Sequence, residues 1–159
     1  MSRSLGPSLP DALLARLLAD PADRLGQAIV LVTVDPYGHP HPALVSYGEL
    51  LALDARRIRL GLYEGTRSST HLRDSARAAL VFADAELTLY VKADAVPLPA
   101  ASGFSGLARF ELHVRDVLED RAEGEEEGAD LTGGITFALP GGPAAWGERN
   151  ARLRRALAS

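Results

Sequence analysis

The sequence predicts a mainly β protein, β with flanking α, in which six antiparallel strands curl into a barrel and the helices sit at its margins. Three observations carry this. There are six β-rich or alternating runs at short spacing, hairpin-type turn residues stand between them, and only one short helical stretch interrupts the series. At 159 residues and 47% hydrophobic, the chain is long enough for one well-buried core, and a single domain over 1–159 is expected.

In chain order, Ser8, Pro10 and Asp11 open a helix, and Leu13, Leu14, Leu17 and Leu18 recur at helical spacing until Asp20-Pro21 stops it. Residues 1–26 are therefore an N-terminal helical segment. The run 28–34 is β-rich and too short for a lone buried helix. It is expected to be a strand buried on both faces, closed by the turn Asp35-Pro36-Tyr37-Gly38. Pro40 and Pro42 flank His41 and place the next strand, 43–47, at a sheet edge, with Gly48 as a kink before 49–53. Asp54 to Arg57 turns the chain into the alternating strand 57–63. Beyond a helical stretch come an apolar strand, 77–83, and a strand over 86–92 with Leu87, Leu89 and Val91 on one face. Pro97 and Pro99 mark a link to Phe104. The longest alternating strand follows, with Phe110, Leu112 and Val114 inward and Arg109, Glu111, His113 and Arg115 outward. Residues 119–130 form an acidic run expected to be a mobile loop, without the ligand spacing of a cation site. A last strand is expected over 134–139. Pro143 then opens a helix over 143–158, with Trp146, Asn150, Leu153 and Leu157 on a packing stripe.

The segment 65–77 is the hinge of the chain. Gly65 suits the positive φ that ends a strand, and Thr66 suits the cap of a helix whose first turn is Arg67, Ser68 and Ser69. The unpaired N–H groups of that turn, the hydroxyls of Ser69 and Thr70, and the Arg67 guanidinium are the donors of an anion site. A capped surface helix with a solvated arginine is the alternative from the segment alone.

Several classes drop out. A net charge of −4 argues against nucleic acid or an anionic membrane as the main partner. With no cysteine there is no disulfide, thiolate nucleophile or Cys-ligated metal. Arg16 and Asp11 break up the leucines near the amino terminus, and no apolar run approaches the roughly 20 residues of a membrane span, so a soluble, cytoplasmic protein is expected. His39 and His41 lack a third ligand, so no metal is expected. Tyr47, Tyr63 and Tyr90 suit structural strand positions, and Trp146 suits a packing anchor, with contact to a partner's cofactor as the sharper reading. No Ser/His/Asp order and no Gly-rich nucleotide loop is present.

From Ile29 to Ala93 the chain resembles the FMN-binding split-barrel family typified by pyridoxamine 5′-phosphate oxidase. The resemblance rests on Val32-Thr33-Val34-Asp35-Pro36-Tyr37-Gly38-His39-Pro40-His41, similar to the family's first hairpin, and on 65–77, similar to the helix after its third strand. It implies a six-stranded split barrel of the FMN-binding type and a homodimer with FMN at the subunit interface. Thr66, Arg67, Ser68, Ser69 and Thr70 would hold the phosphate, with Arg67 on the family's phosphate-binding arginine and Ser68 where a lysine is common. Leu44, Val45 and Ser46 would lie beside the isoalloxazine ring, and Leu62 and Tyr63 beside the ribityl chain. His71 stands where the family often has Asn, and Leu72 at a core leucine. Arg152-Leu153 lacks the surroundings of the oxidase's substrate-phosphate motif. The implied activity is an FMN-dependent oxidoreductase passing electrons between a nicotinamide or similar donor and a small-molecule substrate. The cofactor supplies the chemistry, and no side chain is singled out as an acid or base. The alternatives are a non-catalytic dimeric barrel binding FMN, heme or a deazaflavin for storage or sensing, and a ligand-free structural dimer.

Overall fold

The computed structural model describes residues 2–120 and 130–159. Among these described residues, eight strands form one antiparallel sheet: β1 (Ser2–Gly6), β2 (Ala28–Val34), β3 (Pro40–Ser46), β4 (Leu50–Asp54), β5 (Arg57–Tyr63), β6 (Arg77–Ala83), β7 (Thr88–Leu98) and β8 (Leu107–Asp120). Three α-helices among the described residues flank it: α1 (Asp11–Leu18), α2 (Arg67–Ser75) and α3 (Gly142–Ala158). The sheet order is β3-β2-β6-β7-β8-β5-β4, and β1 pairs with the far end of β8 beyond the reach of β5. This is the curled, split-barrel sheet that the sequence predicts, with two more strands.

The extra strands have simple causes. β1 carries little apolar signal and forms because β8 is long enough to offer Val117 to Asp120 as a template. β4 separates from β3 because Tyr47, Gly48 and Glu49 make a 3-10 turn at the expected kink. A Cβ on Gly48 would lie 2.6 Å from Asn150 Oδ1, so close packing of α3 against this turn requires a glycine.

The hairpin between β2 and β3 is fixed by Asp35, whose Oδ1 accepts from the N–H groups of Tyr37 and His39, and by the positive φ of Gly38. β2 buries one face fully, through Ile29, Leu31 and Thr33, while Val30, Val32 and Val34 are half-buried, so it is less enclosed than expected. β3 is the sheet edge, as its prolines predict. Pro97 lies inside β7, opposite Phe110, and does not end that strand. There β7 pairs only with β8, its pairing with β6 having ended at Asp94, and a free strand side tolerates a missing N–H.

Three further expectations are corrected. Residues 134–139 make only an isolated bridge, Thr136 with Gln27, and are not a strand. Arg109 does not face solvent: it is 7% exposed, and its guanidinium donates to the carbonyls of Pro99, Ala156 and Ser159, which compensate its burial beneath the end of α3. Of the acidic run over 119–130, Glu119 and Asp120 belong to β8, and residues 121–129, the body of the expected loop, lie outside the described residues.

The main core gathers Leu13, Leu17, Leu31, Ile58, Leu72, Leu80, Phe82, Phe110 and Leu112 between the curled sheet, α1 and α2. α3 packs outside it in a satellite cluster of Phe104, Leu107, Leu153, Ala156 and Leu157. No described helix is long and apolar enough to cross a membrane.

Candidate functional site

The hinge folds as its residues dictate. Gly65 has φ +76°, Thr66 is extended, and its Oγ1 accepts from Ser69 N–H at 3.2 Å, capping α2. At the other end Ala76 takes the left-handed conformation that closes the helix. The hydroxyls are bound up locally: Thr66 donates to Tyr63 O at 3.0 Å, while Ser69 and Thr70 donate to Thr66 O at 2.8 and 3.2 Å. Ser69 is fully buried and Ser68 nearly so. Two kinds of donor remain at the mouth of α2. These are the first-turn amides of Arg67 and Ser68, which have no acceptor within the helix, and the exposed guanidinium of Arg67, which bonds no described residue. They fit an anionic tail, whereas the hydroxyls of Thr66, Ser69 and Thr70 are already bonded within the cap.

The other expected cofactor residues divide. Leu44 faces outward at 49% exposure, while Val45 points into the core at 2%. Ser46 donates both its N–H and its hydroxyl to the Glu49 carboxylate, closing a capping box around the 3-10 turn. Leu62 is buried in the main core. Tyr63 is exposed, and its hydroxyl accepts from Arg149 at 2.7 Å. β5 and α2 are joined directly through Tyr63 and Thr66. The contact of β3 with α2 runs instead through His41, whose ring meets that of His71 edge-on at 4.9 Å. Thr33 braces the pair, its Oγ1 3.2 Å from His71 Nδ1. His39 turns away to Asp35, so the two histidines of the hairpin do not converge. Among the described residues no cluster of three or more His, Asp or Glu is placed to hold a metal ion.

Two cavities lie near these elements. One of about 260 Å³ sits at the end of β2 and β6, between Arg24, Gln27, Tyr47, Phe82, Asp84 and the segment 133–136, and contains none of the ten expected cofactor residues. At its wall Arg16 bonds Tyr47, Asp84 and Glu86. Burial works against the Asp84 carboxylate, but Arg16 and the N–H groups of Glu86 and Leu87 outweigh it and hold its pKa below the usual range. The second is a cleft of about 10 Å³, room for one water, between Glu49, Leu62, Tyr63, Phe104 and Arg149. Burial raises the Glu49 carboxyl above its ordinary value, against the bonds from Ser46 and the attraction of Arg149.

Sequence reasoning missed Glu49 and Arg149. The first had a local signal, since Ser46-Tyr47-Gly48-Glu49 is the S-x-x-E capping-box pattern. The second had none, because Tyr63, Phe104 and Arg149 meet only through the tertiary fold.

The fold is that of the pyridoxamine 5′-phosphate oxidase-like split barrels. A candidate pyridoxamine 5′-phosphate oxidase of Lactobacillus delbrueckii superposes with a TM-score of 0.59 at 17% identity, covering 72% of this chain and 98% of that one. An FMN-binding protein of Syntrophomonas wolfei gives 0.53 at 12% identity, covering 72% and 90%. HupZ of Group A Streptococcus gives 0.51 at 15% identity, covering 66% and 90%. No family model matches the sequence. The chain belongs to the family of the uncharacterized protein YclD of Bacillus subtilis, with which it shares 33% identity over 114 residues, 71% of each chain.

Proposed function

We propose that this protein is a homodimeric FMN-binding flavoprotein that transfers electrons between a nicotinamide or similar donor and a small-molecule substrate. The observation that carries the reading is the mouth of α2. In a fold shared with an FMN-binding protein, an unpaired arginine and the Arg67 and Ser68 amides stand at the end of a barrel strand, where they suit a phosphate. When bound, FMN supplies hydride and electron transfer. The chain's own part is to bind and orient: Arg67 anchors the tail, Tyr63 borders the approach beside it, and the edge strand β3 offers Leu44 as an apolar surface. A second copy covering β3 completes the site in this reading and protects the open strand edge. Purified protein should show flavin absorbance or take up FMN on titration, and NADH or NADPH should bleach the bound flavin under anaerobic conditions. Absence of uptake refutes the reading.

A second reading keeps the dimer and the flavin but not turnover. It is favoured by the same helix, because the hydroxyls of Ser69 and Thr70 are spent on Thr66 and the grip on a phosphate rests on one side chain. Slow bleaching by both nicotinamides with intact uptake would select it.

A further inference from the structure

Seven of the fifteen described arginines face acids. Arg3, Arg16, Arg24, Arg57, Arg59, Arg73 and Arg115 each lie within 4 Å of a carboxylate. Arg149 and Arg152 of α3 do not. The Arg149 guanidinium lies over three rings, 5.7 Å from the centroid of Tyr63, 6.0 Å from Phe104 and 5.6 Å from Trp146, and Arg152 lies 5.5 Å from Phe104 on the next turn. The Trp146 ring is held by its Nε1–H, which donates to Pro140 O at 3.1 Å. A single hydrogen bond, to the Tyr63 hydroxyl, uses one of the five N–H donors of Arg149. Two cations thus converge on one phenyl ring with no acid in bonding contact, and Tyr63 is 56% exposed beside them.

We infer that this corner binds a planar aromatic carboxylate, with Arg149 and Arg152 holding the carboxylate and Tyr63 and Trp146 flanking the ring. A guanidinium already stacked on rings has lost its rotamer freedom, so its remaining donors are preorganised for a bidentate carboxylate. Glu49, bound to Ser46 and facing Arg149 from the 3-10 turn, opposes a second negative charge on the guest and so favours a carboxylate over a phosphate. The assignment of this guest as the small-molecule substrate rests on the flavoprotein reading, because Tyr63 links the corner to the mouth of α2. Binding itself does not depend on flavin.

Trp146 is the only tryptophan in the chain and reports on the corner directly. Flavin-free protein should be titrated with benzoate, phenyl phosphate and benzyl alcohol, following its fluorescence. Saturable binding of benzoate is expected, weaker binding of phenyl phosphate, and none of benzyl alcohol. Arg149→Gln and Arg152→Gln should each weaken benzoate about tenfold or more, as loss of a charge-assisted pair implies. Should Arg149→Gln fail to fold by circular dichroism, Arg152→Gln carries the test. The inference is overturned if benzoate gives no saturable change, if it binds equally well to the folded variants, or if phenyl phosphate binds more tightly. Benzoate binding without FMN uptake would remove the flavoprotein reading alone, and FMN uptake without benzoate binding would remove this inference alone.

Discussion

Two helices flank the exposed end of β5, and they handle polar groups in opposite ways. α2 is inserted into the main core by Leu72, and the side chains of its first turn satisfy its own backbone, with Thr66, Ser69 and Thr70 bonded among themselves. α3 packs in a satellite cluster, and its Arg149 and Arg152 rest on aromatic rings with no carboxylate in bonding contact. The first arrangement spends its hydroxyls on a rigid cap and leaves one cation to reach outward. The second leaves two cations without an ion-pair partner in bonding contact on a less deeply seated element. Rigidity and spare donor capacity have been placed on different helices.

The largest expected effect concerns that difference in seating. Leu72→Ala should cost about 2–5 kcal/mol in global unfolding by denaturant, since Leu72 is wholly buried where little can collapse around the gap. Leu157→Ala should instead speed hydrogen exchange over 142–158 before it changes α2. Equal acceleration in both helices would erase the distinction. Next, Arg67→Ala should weaken FMN binding by roughly 1.5–3 kcal/mol while leaving folding stability within about 0.5 kcal/mol, because the side chain is exposed and unbonded in the protein. A matching loss of stability would show that Arg67 holds the fold. Thr66→Ala should lower stability by about 1 kcal/mol, the usual value of an N-cap, measured by urea titration.

The smallest effect lies beneath α3. Because burial holds the Glu49 carboxyl above the ordinary glutamate value of 4.5, the folded protein binds that proton more readily than the unfolded chain. Its contribution to stability therefore falls as pH rises from the unfolded value through the raised folded one, and is lowest at neutral pH. Glu49→Gln removes this dependence, so thermal melts across pH should show the variant gaining on the parent protein as pH rises from about 4.5. A gap that stays constant would show that the carboxyl is not perturbed.

The contrast also explains what the sequence made legible. The α2 site is written in neighbouring residues, where Gly65, Thr66 and the following turn give strand end, cap and helix start in order, and the observed dihedrals agree. What local reading cannot foresee is that Ser69 and Thr70 spend their hydroxyls within the cap. The curled sheet was equally legible from strand period and turn residues. β1 was not, since it exists only because β8 outruns β5. Arg109 alternates with core residues and so looked solvent-facing, yet α3 folds back over that face of the sheet. The corner of Tyr63, Phe104, Trp146 and Arg149 spans 87 positions of chain and carries no local pattern.

The central claim is that α2 grips a phosphate, and the most direct test is a paired titration of flavin-free protein with FMN and with riboflavin, which lacks that group. The account predicts tighter binding of FMN, with the advantage largely lost in Arg67→Ala. Equal affinities for the two flavins, or an FMN preference that survives the substitution, would contradict it.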